Sequence, residues 1–236
     1  MSPHTKIDTL ILSDLHLGSP IGKPKQAYKL LVTYKFKRLI LLGDIFDYHA
    51  NYHKLSTDDL RLLEFIRSLS QQRACEVVWI RGNHDHNRDG GLARFIGSPV
   101  HETYMWRHGN KDYLAIHGDQ FDAFIDNKSS FNALAHRVFL QLQKMDREGR
   151  HLVKLIDYTN AYLRRLSSKI ARGAIHQAIK QKADYVFCGH THIAASRNHR
   201  HGDDVIHYYN TGCWTHTPAT FAVVDEAGNA LLEKFR

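Results

Sequence analysis

Five short runs in this chain set metal-binding side chain types close together: Asp14-Leu15-His16, Gly43-Asp44-Ile45-Phe46-Asp47, Gly82-Asn83-His84-Asp85, His117-Gly118-Asp119 and Gly189-His190-Thr191-His192. Carboxylates, imidazoles and side-chain amides are the donors with which proteins hold divalent cations, and a set rich in imidazole suits borderline transition metals better than magnesium or calcium. One D-x-H or H-x-H triplet arises easily by chance. Their shared position carries more weight. Each run follows directly on a short apolar stretch, at residues 9–12, 39–42, 77–80, 113–116 and 185–188.

Those stretches are short, rich in β-branched and aromatic residues, and continuously apolar, as strands buried on both faces must be. Between the second and third, Leu60, Leu63, Ile66 and Leu69 recur at helical spacing behind Ser56 and Thr57, which predicts a capped helix over 57–70. Strand alternating with helix argues for a layered α/β sheet. Ligands bind such sheets beyond the carboxyl ends of the strands, so donors scattered from Asp14 to His192 can converge on one site. Further strands are expected at 205–209, 221–224 and 230–235.

One segment stands apart. From Phe121 to Lys182 strand signals vanish, and Phe131, Leu134, Ala135, Val138, Phe139 and Leu142 follow the spacing of an amphipathic helix behind Ser129 and Ser130. Leu152, Leu155, Ile156, Tyr162, Leu163 and Leu166 predict a second helix, with 170–179 its continuation or a third. This segment holds 12 Lys and Arg against five acids, or +7 of the chain's net +8. A basic amphipathic element suits an anionic lipid surface or an anionic substrate, although a solvated helix face gives the same pattern.

At 236 residues, 43% hydrophobic and 24% charged, the chain reads as one soluble globular domain spanning 1–236, with a helical insertion at about 121–182. No apolar stretch approaches the ~20 residues needed to cross a bilayer. The first residues lack the apolar core of a signal peptide, so a cytoplasmic location is expected. Three widely spaced cysteines suggest neither a disulfide framework nor a structural zinc site. There are 18 histidines, five of them in the runs above, and the others, His216 among them, carry no such constellation in sequence.

Taken together, the five motifs D-x-H, G-D-x-x-D, G-N-H-D, H-G-D and G-H-T-H resemble the signature of the calcineurin-like metallophosphoesterases over most of the chain. The resemblance implies a two-sheet α/β sandwich flanked by helices and a pair of divalent metals, manganese foremost, with iron or zinc as alternatives. By motif, it assigns Asp14, His16 and His192 to one metal, Asn83, His117 and His190 to the other, and Asp44 as the bridge. Two metals about 3.5–4 Å apart clamp phosphate oxygens and activate a bridging water for in-line attack on phosphorus. His84 would stabilise or protonate the departing oxygen, with Asp47 orienting its ring, while Asp85 and Asp119 would support ligand histidines.

Within that superfamily the chain is similar to the UDP-2,3-diacylglucosamine pyrophosphatases of lipid A synthesis. The likeness rests on Ser13-Asp14-Leu15-His16-Leu17-Gly18, on His117-Gly118-Asp119-Gln120-Phe121-Asp122, on the helical stretch before Gly189, and on Tyr209-Asn210-Thr211-Gly212-Cys213-Trp214. It implies a phosphate- or diphosphate-containing, acylated substrate, and the basic charge of the 121–182 segment adds the expectation of a peripheral position on the inner face of a membrane. Arg81, Arg164 and Arg165 are candidate substrate contacts. That family typically has Arg after the ligand Asn, where this chain has His84. A cyclic-nucleotide phosphodiesterase or nuclease is the alternative, ranked second because interleaved aromatics for stacking are sparse in the basic segment, with Tyr158 and Tyr162 the main candidates. No obligate protein partner is implied.

Overall fold

The computed structural model describes residues 5–47, 55–72, 75–85, 96–122 and 150–235. In chain order the elements are β1 (Thr5–Lys6), β2 (Thr9–Leu12), α1 (Pro24–Thr33), β3 (Tyr34–Lys35), β4 (Arg38–Leu42), α2 (Thr57–Ser70), β5 (Glu76–Ile80), β6 (Val100–His101), β7 (Thr103–His108), β8 (Lys111–Ile116), α3 (Arg150–Gln181), β9 (Tyr185–Cys188), β10 (Ala195–His201), β11 (Asp204–Asn210), β12 (Thr220–Val224) and β13 (Ala230–Lys234). Apart from the short β1–β3 pair, they form two mixed sheets. Six strands run in the order β13-β12-β2-β4-β5-β6, and five in the order β10-β11-β9-β8-β7.

Strand alternation builds the layers. Along β4, Leu39 and Leu41 pack with Leu30, Leu31, Leu62 and Ile66 of α1 and α2, whereas Ile40 and Leu42 face Trp106, Tyr113 and Phe187 of the second sheet. The outer face of the five-stranded sheet covers its apolar residues with Ile170, Ala171, Ala174, Ile175 and Ala178 of α3. The order of layers is therefore helix, sheet, sheet, helix, the mixed α/β sandwich that the motifs imply. Strands β2, β4 and β5 are parallel to one another, as are β8, β9 and β11 through β9. All five donor runs consequently emerge at one end of the sandwich.

Helix α2 begins where its sequence directs: the Ser56 side chain accepts from the Asp59 N–H, and Asp59 Oδ2 accepts in return from the Ser56 N–H at 2.8 Å. Helix α1 starts with Pro24 in its first turn and buries Ala27, Leu30 and Leu31, at i, i+3 and i+4. Residues 150–181 form one continuous 32-residue helix rather than two. The helix expected over 129–142 lies outside the described residues. None of the described helices is long and apolar enough to cross a membrane.

Candidate metal centre

The donor runs sit on tightly closed strand-to-loop turns. Asp14, His16, Asp44, His190 and His192 all have positive φ, between 47° and 67°. Left-handed backbone at a non-glycine residue costs on the order of 1–3 kcal/mol, and such strain gathers at functional sites. Two glycines permit the close approach. A Cβ on Gly43, itself at φ +79°, would lie 2.2 Å from His117 Nδ1, and one on Gly82 would lie 2.3 Å from both the amide nitrogen and Oδ1 of Asp44.

Two donor groups result, each with its ligand-type atoms within 4.8 Å of one another: Asp14 with His16 and His192, and Asp44 with His117 and His190. Asn83 joins the second, its Oδ1 being 3.0 Å from His190 Nδ1. The seven residues that the motifs single out are thus brought together. Asp44 Oδ1 accepts from the His84 backbone N–H at 2.8 Å, while its Oδ2 faces His117 Nε2 at 3.4 Å. Asp14 Oδ2 accepts from the His190 N–H at 3.2 Å. The opposite oxygen, Asp14 Oδ1, is buried with His192 Nε2 3.2 Å away, yet it makes no hydrogen bond. His117 Nε2 is likewise buried and without a hydrogen bond, because its ring donates from Nδ1 to the Leu42 carbonyl at 2.9 Å. His16 Nε2 and His192 Nε2 face each other at 3.0 Å.

Buried carboxylate oxygens and imidazole nitrogens held this close need positive charge between them, supplied by protons or by a bound cation. The electrostatics agree. Burial pushes the Asp14 and Asp44 carboxyls up, but His192 for Asp14 and His117 for Asp44 outweigh it and hold both below the usual carboxylate range. Burial pushes the His117 and His192 imidazoles down, yet Asp44 raises the first well above its ordinary value and Asp14 raises the second to about 10. The pocket demands positive charge where the two donor groups converge. The oxygen and nitrogen donors present fit divalent transition metals.

Around these groups the structure adds detail. His84 Nδ1 and His16 Nδ1 each lie 3.8 Å from Asp47 Oδ1, so that carboxylate sits between two rings rather than serving His84 alone. Burial, together with neighbouring His16 and His117, holds the His84 imidazole below its ordinary value despite Asp44 and Asp47. Among the described residues Asp85 supports no histidine. Its carboxylate accepts from the backbone N–H groups of Ile45, Phe46 and Gly82, and so ties the second donor run to the third. Burial and the Asp44 charge push it up to about 7. His117 takes the Leu42 carbonyl as its partner, not Asp119.

Asp122 supplies a partner that the motifs did not single out. Buried at the end of the His117–Asp122 run, its Oδ2 lies 3.4 Å from His190 Nε2, on the far side of that ring from Asn83. The run was visible in sequence, but nothing local tells which histidine its last carboxylate meets. Outer partners of this kind fix ring orientation and raise donor strength, and losing one typically costs about 10–100-fold in metal affinity or activity. Asp122→Asn should therefore weaken metal retention by that order, read by equilibrium dialysis; unchanged retention would show that the contact does not orient His190.

The three candidate arginines fall in different surroundings. Arg81 pairs with Glu102. Arg164 and Arg165 are exposed on α3. On the same helix Arg165, Lys169, Arg172, His176 and Lys180 recur at intervals of three and four, opposite the buried Ala171, Ala174, Ile175 and Ala178. No acidic residue occurs between Arg164 and Lys182. His49 and His86 lie outside the described residues.

Comparison with known proteins adds three findings. The sequence profile of the calcineurin-like phosphoesterases matches residues 7–194. The UDP-2,3-diacylglucosamine hydrolase of Photorhabdus laumondii is 23% identical over 245 residues, covering 93% of this chain and 96% of its own. Among solved structures, a hypothetical protein of Pyrococcus horikoshii superposes with a TM-score of 0.53 at 12% identity, over 98% of this chain and 88% of that one. An archaeal phosphodiesterase does so with a TM-score of 0.51 at 14% identity, over 96% and 98%.

Proposed function

This chain belongs to the calcineurin-like phosphoesterase family of metal-dependent phosphoester hydrolases, and on that basis we propose that it cleaves the diphosphate or a phosphate ester bond of a UDP-2,3-diacylglucosamine-like substrate with two divalent cations. The observation that carries the reading is the pair of donor groups, Asp14–His16–His192 and Asp44–His117–His190, with Asp14 Oδ1 and His117 Nε2 left without hydrogen bonds. Asp14, His16 and His192 would hold one cation, and Asn83, His117 and His190 the other. Asp44 would serve both. When bound, such a pair neutralises phosphate oxygens and lowers the pKa of a water for attack on phosphorus. Manganese is the proposed metal, with iron or zinc compatible with the same donors.

The chain's own residues divide the remaining work. Asp47 and the Asp44 carboxylate flank the His84 ring, and its N–H is the group offered to the phosphate or the departing oxygen. The Leu42 carbonyl and Asp122 hold the rings of His117 and His190 in their orientations. Arg81, Arg164 and Arg165 are proposed contacts for the anionic substrate.

Two observations favour a lipid-linked substrate met at an anionic membrane surface: the relationship to the Photorhabdus laumondii hydrolase and the acid-free cationic face of α3 from Arg165 to Lys180. Each basic residue near such a surface contributes about 1 kcal/mol. Reversing both charges with Arg164→Glu and Arg165→Glu should weaken binding to anionic liposomes roughly tenfold or more, and should raise KM for an acylated substrate while sparing an aryl phosphodiester. The deciding experiment is a substrate panel with Mn²⁺ comparing UDP-diacylglucosamine, other nucleotide-diphosphate lipids, cyclic nucleotides and single-stranded DNA. Turnover of the last two alone, with no binding to anionic liposomes, would replace the lipid reading with a nucleotide one.

A further inference from the structure

Another cluster of donors adjoins the metal centre, sharing His192 with it, and its other two members, Cys213 and His216, take no part in the reading above. Cys213, His216 and His192 bring one sulfur and two imidazole nitrogens within 4.8 Å of one another. The cluster is built by tertiary contacts. Cys213 follows β11, and the next residue donates its backbone N–H to the Asp14 carbonyl at 3.1 Å, which fixes this loop against the first donor run. The Thr215 hydroxyl donates to Cys213 Sγ at 3.3 Å. Lys23 Nζ donates to the His216 carbonyl and, at 2.5 Å, to the Thr217 hydroxyl, pinning the loop from the other side. The His216 ring stands 5.9 Å from that of His192, edge to face. Cys213 is only 2% exposed whereas His216 is exposed, so the donors run from the interior to the rim of the centre.

The two sets that contain His192 differ in chemistry. Asp14, His16 and His192 offer one hard oxygen and two imidazoles, which suit manganese or iron. His192, Cys213 and His216 offer a thiolate and two imidazoles, a set that favours zinc and other thiophilic cations, with water as fourth ligand. A neutral imidazole has one nitrogen lone pair free to coordinate, so His192 cannot serve both sets at once. The geometry points to an inhibitory site for a thiophilic divalent cation at His192, Cys213 and His216, one that withdraws His192 from the inner set. On binding, the Cys213 thiol releases its proton to solvent and the sulfur lone pair forms the new bond; no oxidant or reductant is required. The inference rests on the reading that His192 serves the inner cation.

The test uses the full chain loaded with manganese. Addition of Co²⁺ should produce a near-ultraviolet thiolate-to-cobalt charge-transfer band that is lost in Cys213→Ser and weakened in His216→Ala. Zn²⁺ should inhibit hydrolysis of an aryl phosphodiester, and both substitutions should raise the zinc concentration needed by at least about tenfold, the lower bound for removing even an outer partner of a metal. His216 is exposed, so its variant keeps the test open if Cys213→Ser misfolds. A band that persists in Cys213→Ser, or zinc sensitivity equal in all three proteins, would overturn the site. An active wild type with no band overturns the site alone. A wild type that hydrolyses no phosphodiester but gives a Cys213-dependent band overturns the catalytic reading and supports the site.

Discussion

Asp44→Asn will remove bound metal and hydrolysis together. The substitution preserves the shape of a side chain whose Oδ1 accepts the His84 N–H at 2.8 Å, so the loops can stay closed. What it removes is the buried charge beside His117 Nε2 at 3.4 Å and His84 Nε2 at 3.8 Å, and it can turn an amide toward nitrogens that themselves need a cation. Removing one partner from a buried charge pair costs about 3–5 kcal/mol, or roughly 10²–10⁴-fold in an equilibrium. Metal content per chain and the turnover rate, measured on the same preparation, should fall by at least that order. A variant that purifies with two metals and near-normal turnover would sink the assignment of Asp44 to both cations.

His84→Ala should separate chemistry from metal binding. The backbone N–H of residue 84, which holds Asp44, survives the change, so both metals should remain. The ring is lost, and with it the group between Asp44 and Asp47 that would donate to phosphate or to the leaving oxygen. The rate should drop about 10²–10⁴-fold, the range for general acid catalysis. Burial, with His16 and His117, shifts the ring toward its neutral form despite Asp44 and Asp47; the neutral ring's single N–H can stabilise charge, whereas passing on a proton requires the protonated ring. Leaving-group dependence tells these apart. A smaller loss for an aryl phosphodiester than for an alkyl one indicates proton transfer, an equal loss indicates charge stabilisation, and loss of metal would make His84 a ligand instead.

The sequence by itself determined the buried strands and the donor inventory. Strands such as β2, β4, β5 and β9 are buried on both faces, and that requirement writes an apolar run into consecutive residues, where it is legible without any partner. Helix α2 was legible for a similar reason, since Ser56 and Asp59 cap it through contacts three residues apart. Polar elements were not. Along β10, six of seven residues are exposed, and its identity as a strand comes entirely from pairing with β11. The donor runs could be found because each is short and contiguous.

Which donors share a partner could only be decided in three dimensions. Asp85, expected beside a histidine, turns instead to the backbone of Ile45 and Phe46, 40 and 39 residues away in sequence. Asp122 meets His190 across 68 residues, and Cys213 and His216 converge on His192 from a loop beyond β11. A side chain's type depends on local sequence, so its chemistry can be read there. Its neighbour across a sandwich depends on how two sheets are stacked, and that is a property of the packed core rather than of any segment.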